Sequence, residues 1–96
     1  MLADVKTALR LSQNVTALDG EVEDLIAAAR DDLRLSGILP AKVADDTDSL
    51  IKRAVVTYCK ANFGFDNPDA ARLQASYESL KAHLSMSIEY TMEGDA

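Results

Sequence analysis

Apolar residues return every three to four positions along most of the chain, the spacing that gathers them on one face of a helix. Leu2, Val5, Ala8 and Leu9 begin the pattern and predict a short helix over residues 2–11, with Lys6 and Arg10 on another face. A turn-prone segment, SQNVTALDG, follows, in which Thr16 or Asp19 is placed to cap the next helix. Val22, Leu25, Ile26, Ala29 and Leu33 then form one stripe and predict a helix over about 20–36. Acids crowd its first turn, Arg34 sits in its last and Gly37 follows, as the helix dipole and a left-handed C-terminal position prefer. Pro40 keeps the helix from continuing. Residues 38–48 show neither periodicity and read as a loop that ends on a cap at Thr47 or Asp48.

The next helix, about 48–63, is the most apolar. Leu50, Ile51, Ala54, Val55, Tyr58, Cys59 and Ala61 cover more than half its circumference, the mark of a central helix around which others pack. Val56 falls inside its polar arc, among Lys52, Arg53, Thr57 and Lys60, and Phe63 extends that row by about a turn. In KANFGFDNPDAARL, Gly64 ends the helix, Asn67 caps another and Pro68 occupies a first turn, where its missing N–H costs nothing. Leu73, Tyr77, Leu80 and Leu84 mark that last helix, about 68–84, as an antiparallel neighbour of the central one.

The final twelve residues change rhythm. In SMSIEYTM, Met86, Ile88, Tyr90 and Met92 alternate with polar residues, the two-residue period of an extended segment. Leu84 and Ile88 also continue a four-residue helical step, so an added helical turn is one competing reading and disorder is another. The sequence thus predicts an all-α fold: a small bundle of three main helices with a short N-terminal helix, forming one domain over 1–84, and an extended arm over 85–96.

Ninety-six residues at 48 % hydrophobic content allow one core. A chain of this length buries only about 60 to 65 % of the surface it exposes when unfolded, so association with other copies has something to add. Few aromatic residues, no Trp and much alanine favour closely packed helices. Cys59 is the lone cysteine and cannot pair within the chain, no N-terminal segment looks like a secretory leader, and no apolar run approaches the ~18 residues of a membrane span. These features lead us to expect a soluble, cytoplasmically made protein without a membrane partner. The net charge of −6 argues against a DNA-gripping surface, because such affinity comes mainly from bases that neutralise phosphates.

Reactive groups do not converge. With one His and one Cys, the chain offers no nucleophile with a base in reach; Cys59 falls on an apolar helix face and His83 near a helix end. The four glycines are isolated, which removes a phosphate-binding loop, and DDTD at 45–48 lacks the spacing, glycine and distal glutamate of a calcium loop. The expectation is a non-enzyme with no catalytic, cofactor or metal residues. Two binding classes remain beside it: a helix-turn-helix DNA regulator and a general helical adaptor. Against the regulator, Arg72, Gln74 and Lys81 on the candidate reading helix are balanced by Asp69 and Glu78.

LADVKTALRL, DGEVEDLIAAARDDLRLSG, IKRAVVTYCKANFGFDNPDAARL and SYESLKAHLSMS together give the chain a wider likeness. It resembles the small head-tail connector proteins of tailed bacteriophages and prophages, also described as DNA-packaging or head-completion proteins. The resemblance implies a helical subunit that assembles side by side into a ring, twelvefold on the head, docks beneath the portal protein and seats the next head-completion or tail protein. It implies DNA passing through the ring without specific binding, a place in the virion at the head–tail interface, and no catalytic residues. Val56, Phe63 and Phe65 are then candidates for contact with sister subunits, and Met86, Ile88, Tyr90 and Met92 for an arm that orders on a neighbour or on the portal. The acidic helix over 19–36 suits a channel wall that repels phosphates.

Overall fold

The computed structural model describes residues 1–64 and 66–92. Its elements, in chain order, are α1 (Leu2–Ala8), α2 (Asp19–Leu35), α3 (Pro40–Val43), α4 (Ser49–Asn62), α5 (Ala70–Ser85) and α6 (Ile88–Thr91). Among the described residues there is no strand, and the all-α expectation holds. α4 lies at the centre, packed on α1, α2 and α5. Its Ile51, Ala54, Val55 and Cys59 are fully buried and meet the buried stripe of α2, Val22, Ile26, Ala29 and Leu33. Grooves lined by Lys60 with Arg72 at one end and by Arg53 with His83 at the other show that α4 and α5 run antiparallel.

Helix ends follow backbone sterics. At the end of α2, Gly37 takes φ +104°, its N–H donates to the Arg34 carbonyl, and the Ile38 N–H reaches back to Leu33 O at 3.3 Å. This is a Schellman closure, sealed by buried Ile38. α1 closes the same way with Arg10 as the left-handed residue, φ 63°, and Leu11 N–H donating to Lys6 O at 2.8 Å. The predicted helix over 2–11 therefore stops at Ala8, because a stop carried by arginine leaves no glycine in the sequence to announce it.

Four further expectations are corrected. Neither Thr16 nor Asp19 caps α2: Leu18 holds that position without a side-chain bond, and Asp19 is drawn away by Lys6. Lys6, expected on a polar face, is 3 % exposed; its Nζ donates to Val15 O at 2.6 Å and lies 2.8 Å from Asp19 Oδ1, an ion pair outside hydrogen-bond geometry. This one side chain ties the 9–18 connection to the start of α2. α5 begins at Ala70 and not at Pro68, because Asn67 Oδ1 accepts from the Asp69 N–H and closes a turn first, while Asn67 Nδ2 donates to Lys60 O. The 38–48 loop contains α3, where Pro40 opens a new turn at its first position.

The last correction concerns the C-terminal segment. Residues 88–91 form a helical turn folded onto the bundle, not an extended arm. Tyr90 is buried, its carbonyl accepts from the Leu39 N–H at 2.9 Å, and its hydroxyl donates to the Asp48 carboxylate at 3.0 Å. Burying one ring and satisfying those polar groups outweighs the two-residue pattern, which has no neighbouring strand to pair with.

Candidate assembly surfaces

Where charge and apolar surface remain outside the core decides what the molecule can touch. The first such place is the foot below α5. Met86, Ile88 and Met92 are 82 %, 73 % and 60 % exposed, whereas Tyr90, expected to point outward with them, is the anchor that holds the foot. A helical turn explains the split: Ile88 and Met92, four apart, share one side, and Tyr90 turns to the other. Asp48 is the pivot. Its Oδ1 accepts from the Leu50 and Ile51 amides at 3.0 and 3.1 Å, capping α4, while the same carboxylate receives Tyr90. Burial, and then the hydrogen bond to Asp48, push the Tyr90 hydroxyl up to about 12, so it stays a donor. Lys42 lies 5.1 Å over the Tyr90 ring, which adds a cation–π contact.

The second place is the elbow between α4 and α5. Phe63 is half-buried against the core beside an open hollow of about 490 Å³, lined also by Leu18, Glu21, Asn62 and Gly64. Phe65 lies outside the described residues. Val56, the third elbow candidate, is half-buried and packs on the core from the α4/α5 side. The structure thus brings Val56 and Phe63 partly into the fold and separates both from the foot.

The sequence reading missed the third place. Arg53, Val56, Thr57 and Lys60 of α4 face Arg72, Leu73, Ser76 and His83 of α5 across two adjoining hollows of about 320 Å³ each. No acid lines them, in a chain of net charge −6. The signal lay in the polar arc of α4, whose bases stand at i and i+7, and it goes unseen until α5 supplies the opposite wall.

Two buried groups hold these surfaces rather than serve them. The Tyr77 hydroxyl donates to Asp32 Oδ2 at 2.6 Å, and Lys81 Nζ reaches the same oxygen at 2.9 Å, stapling α5 to α2. The Cys59 thiol, pushed up to about 11 by burial, is an unreactive part of the core.

The sequence model of the family described as phage connector protein matches residues 1–91. The chain belongs to this family. No curated protein and no solved structure matches it. As a head-tail connector it is a structural protein of a bacteriophage. The match runs from α1 to the end of α6, which places α6, with Tyr90, inside the matched region and leaves Met92 one residue beyond it. No described helix of this connector is long and apolar enough to cross a membrane.

Proposed function

We propose that this connector assembles side by side with copies of itself into a ring that docks beneath the portal, twelvefold on the assembled head. The ring completes the head, continues the DNA channel and seats the next head-completion or tail protein, while DNA passes without specific binding. The subunit is made in the host cytoplasm and works in the virion. Its role is geometric and needs no catalysis.

The observation that carries this reading is the foot: exposed Met86, Ile88 and Met92 on a segment already ordered by Tyr90, in a chain of the connector family. Three large apolar side chains held out at the foot, Met86 at the end of α5 and Ile88 and Met92 at the two ends of α6, suit docking on a preformed platform, because little ordering entropy is lost when they are covered. Val56 and Phe63 then belong to the flanks that meet sister subunits. α5, which a DNA regulator would use for reading, spends Arg72 on Asp69 and Lys81 on Asp32 and Glu78, which favours the connector.

Replacing all three foot residues, M86S/I88S/M92S, is expected to weaken attachment to portal-bearing heads by roughly 100-fold, at about 1 kcal/mol per covered side chain. Helicity and the thermal midpoint are expected to stay near wild type, since none of the three is buried. Co-sedimentation with heads lacking their own connector measures it. Undiminished attachment would defeat the assignment of the foot.

A further inference from the structure

Among the described residues, Arg10, Arg53 and Lys60 are the lysines and arginines that make no salt bridge; the others are each held by a carboxylate. Two of those three lie in the α4/α5 groove. Arg53, Val56, Thr57 and Lys60 stand at i, i+3, i+4 and i+7, one stripe on the side of α4 turned away from Ile51, Val55 and Cys59. Half-buried Val56, Leu73 and Leu80 give the groove an apolar floor between its charges.

Opposite charge stands on the back of α2. That helix buries Val22, Ile26, Ala29 and Leu33, and its outer side presents Asp24, Ala27, Ala28, Asp31 and Leu35, all exposed. Asp24 makes no salt bridge among the described residues, and Asp31 meets only exposed Arg34, at 3.5 Å. The spacing matches. Asp24 to Asp31 and Arg53 to Lys60 are both seven residues, two helical turns, so each pair spans about 10 Å along its axis. Between the acids stand two alanines, small enough to let the backbone of α2 approach the floor of a groove.

We propose that the outer face of α2 in one copy seats in the α4/α5 groove of the next, with Asp24 and Asp31 meeting Arg53 and Lys60. The proposal rests on the ring reading above and names its subunit contact. Two different faces of one chain meet in it, the head-to-tail geometry that closes into a cycle. Matched opposite charges fix the register of such a contact and speed the encounter. Acids engaged this way are covered between subunits and do not line the channel.

Two charge reversals test it, D24K/D31K and R53E/K60E, both at exposed positions and both checked for helicity by circular dichroism. Each alone is expected to raise the protein concentration needed for assembly, in solution or on portal-bearing heads, by tenfold or more. An equimolar mixture is expected to assemble as wild type does, in alternating rings of even subunit number, since each variant then offers the other a complementary face. If wild type assembles and neither reversal matters, as it would with α2 lining the channel, the contact is overturned while the connector reading stands. If the folded variants fail alone and the mixture restores nothing, the pairing is likewise overturned. If wild type itself never assembles, on heads or free, the connector reading falls and the contact with it.

Discussion

Tyr77→Ala is expected to destabilise the bundle by about 4 kcal/mol, lowering the thermal midpoint by roughly 15–30 °C in a domain of this size. Small domains hold only about 5–15 kcal/mol in total, so the variant stands near the edge of folding. Tyr77 has no exposed surface, meets Tyr58 edge-on at 5.1 Å between centroids, and is the largest of the fully buried side chains. Its loss opens a cavity between α4 and α5 and strips Asp32 of a donor. Tyr77→Phe separates the two effects: packing stays, and the cost is about 1–2 kcal/mol for the hydroxyl. The phenylalanine variant also carries a pH signature. Burial alone would raise the Asp32 carboxyl, but hydrogen bonds from Tyr77 and Lys81, with the charge of Lys81, hold it below its ordinary value. A depressed carboxyl adds stability above its unfolded pKa and loses it as pH falls through the folded one, so the staple weakens in acid, below about pH 4. Tyr77→Phe is expected to flatten that acid slope. Thermal melts across pH 2–7 measure both effects, and an alanine variant that melts within a few degrees of wild type would contradict the staple.

Asp48→Ala is the second large effect, about 2–4 kcal/mol. One part is the cap, about 1 kcal/mol for two amides at the start of α4. The other is the Tyr90 hydroxyl, left buried without its acceptor at about 1–3 kcal/mol. The distinguishing readout is local. Leu39 N–H donates to Tyr90 O, so its amide exchange is expected to rise when the foot lifts, more than at core positions of α2. Asp48→Asn, which can still cap, is expected to keep α4 while loosening the foot. A Leu39 amide as protected as in wild type would show that Asp48 does not hold the segment.

Those two residues also show what a sequence can disclose. α2 and α4 were legible because their burial is periodic: Val22, Ile26, Ala29 and Leu33, like Ile51, Val55 and Cys59, repeat at helical steps, and position along the helix decides burial. Gly37 and Gly64 were legible because a left-handed backbone position prefers glycine, whereas Arg10 in the same role was not. The foot was misread for another reason. Whether Tyr90 points in or out depends on Asp48, forty-two residues away, and no local pattern encodes that meeting. Lys6 was hidden in the same way, since its burial depends on where the 9–18 connection returns its carbonyls. Of the candidate assembly surfaces, Val56 and Phe63 drew notice as apolar residues out of place, and Met86, Ile88 and Met92 are exposed. The basic groove needed two helices to exist, so neither helix alone displayed it.

The connector account turns on one image: electron microscopy of portal-bearing, DNA-filled heads to which the purified chain has been added. It predicts a closed ring of identical subunits beneath the portal, twelve to a turn, with Met86, Ile88 and Met92 against the portal and unlike faces of neighbours in contact. Single copies scattered on the head, a two-fold pair, or a bare portal at saturating protein would contradict it.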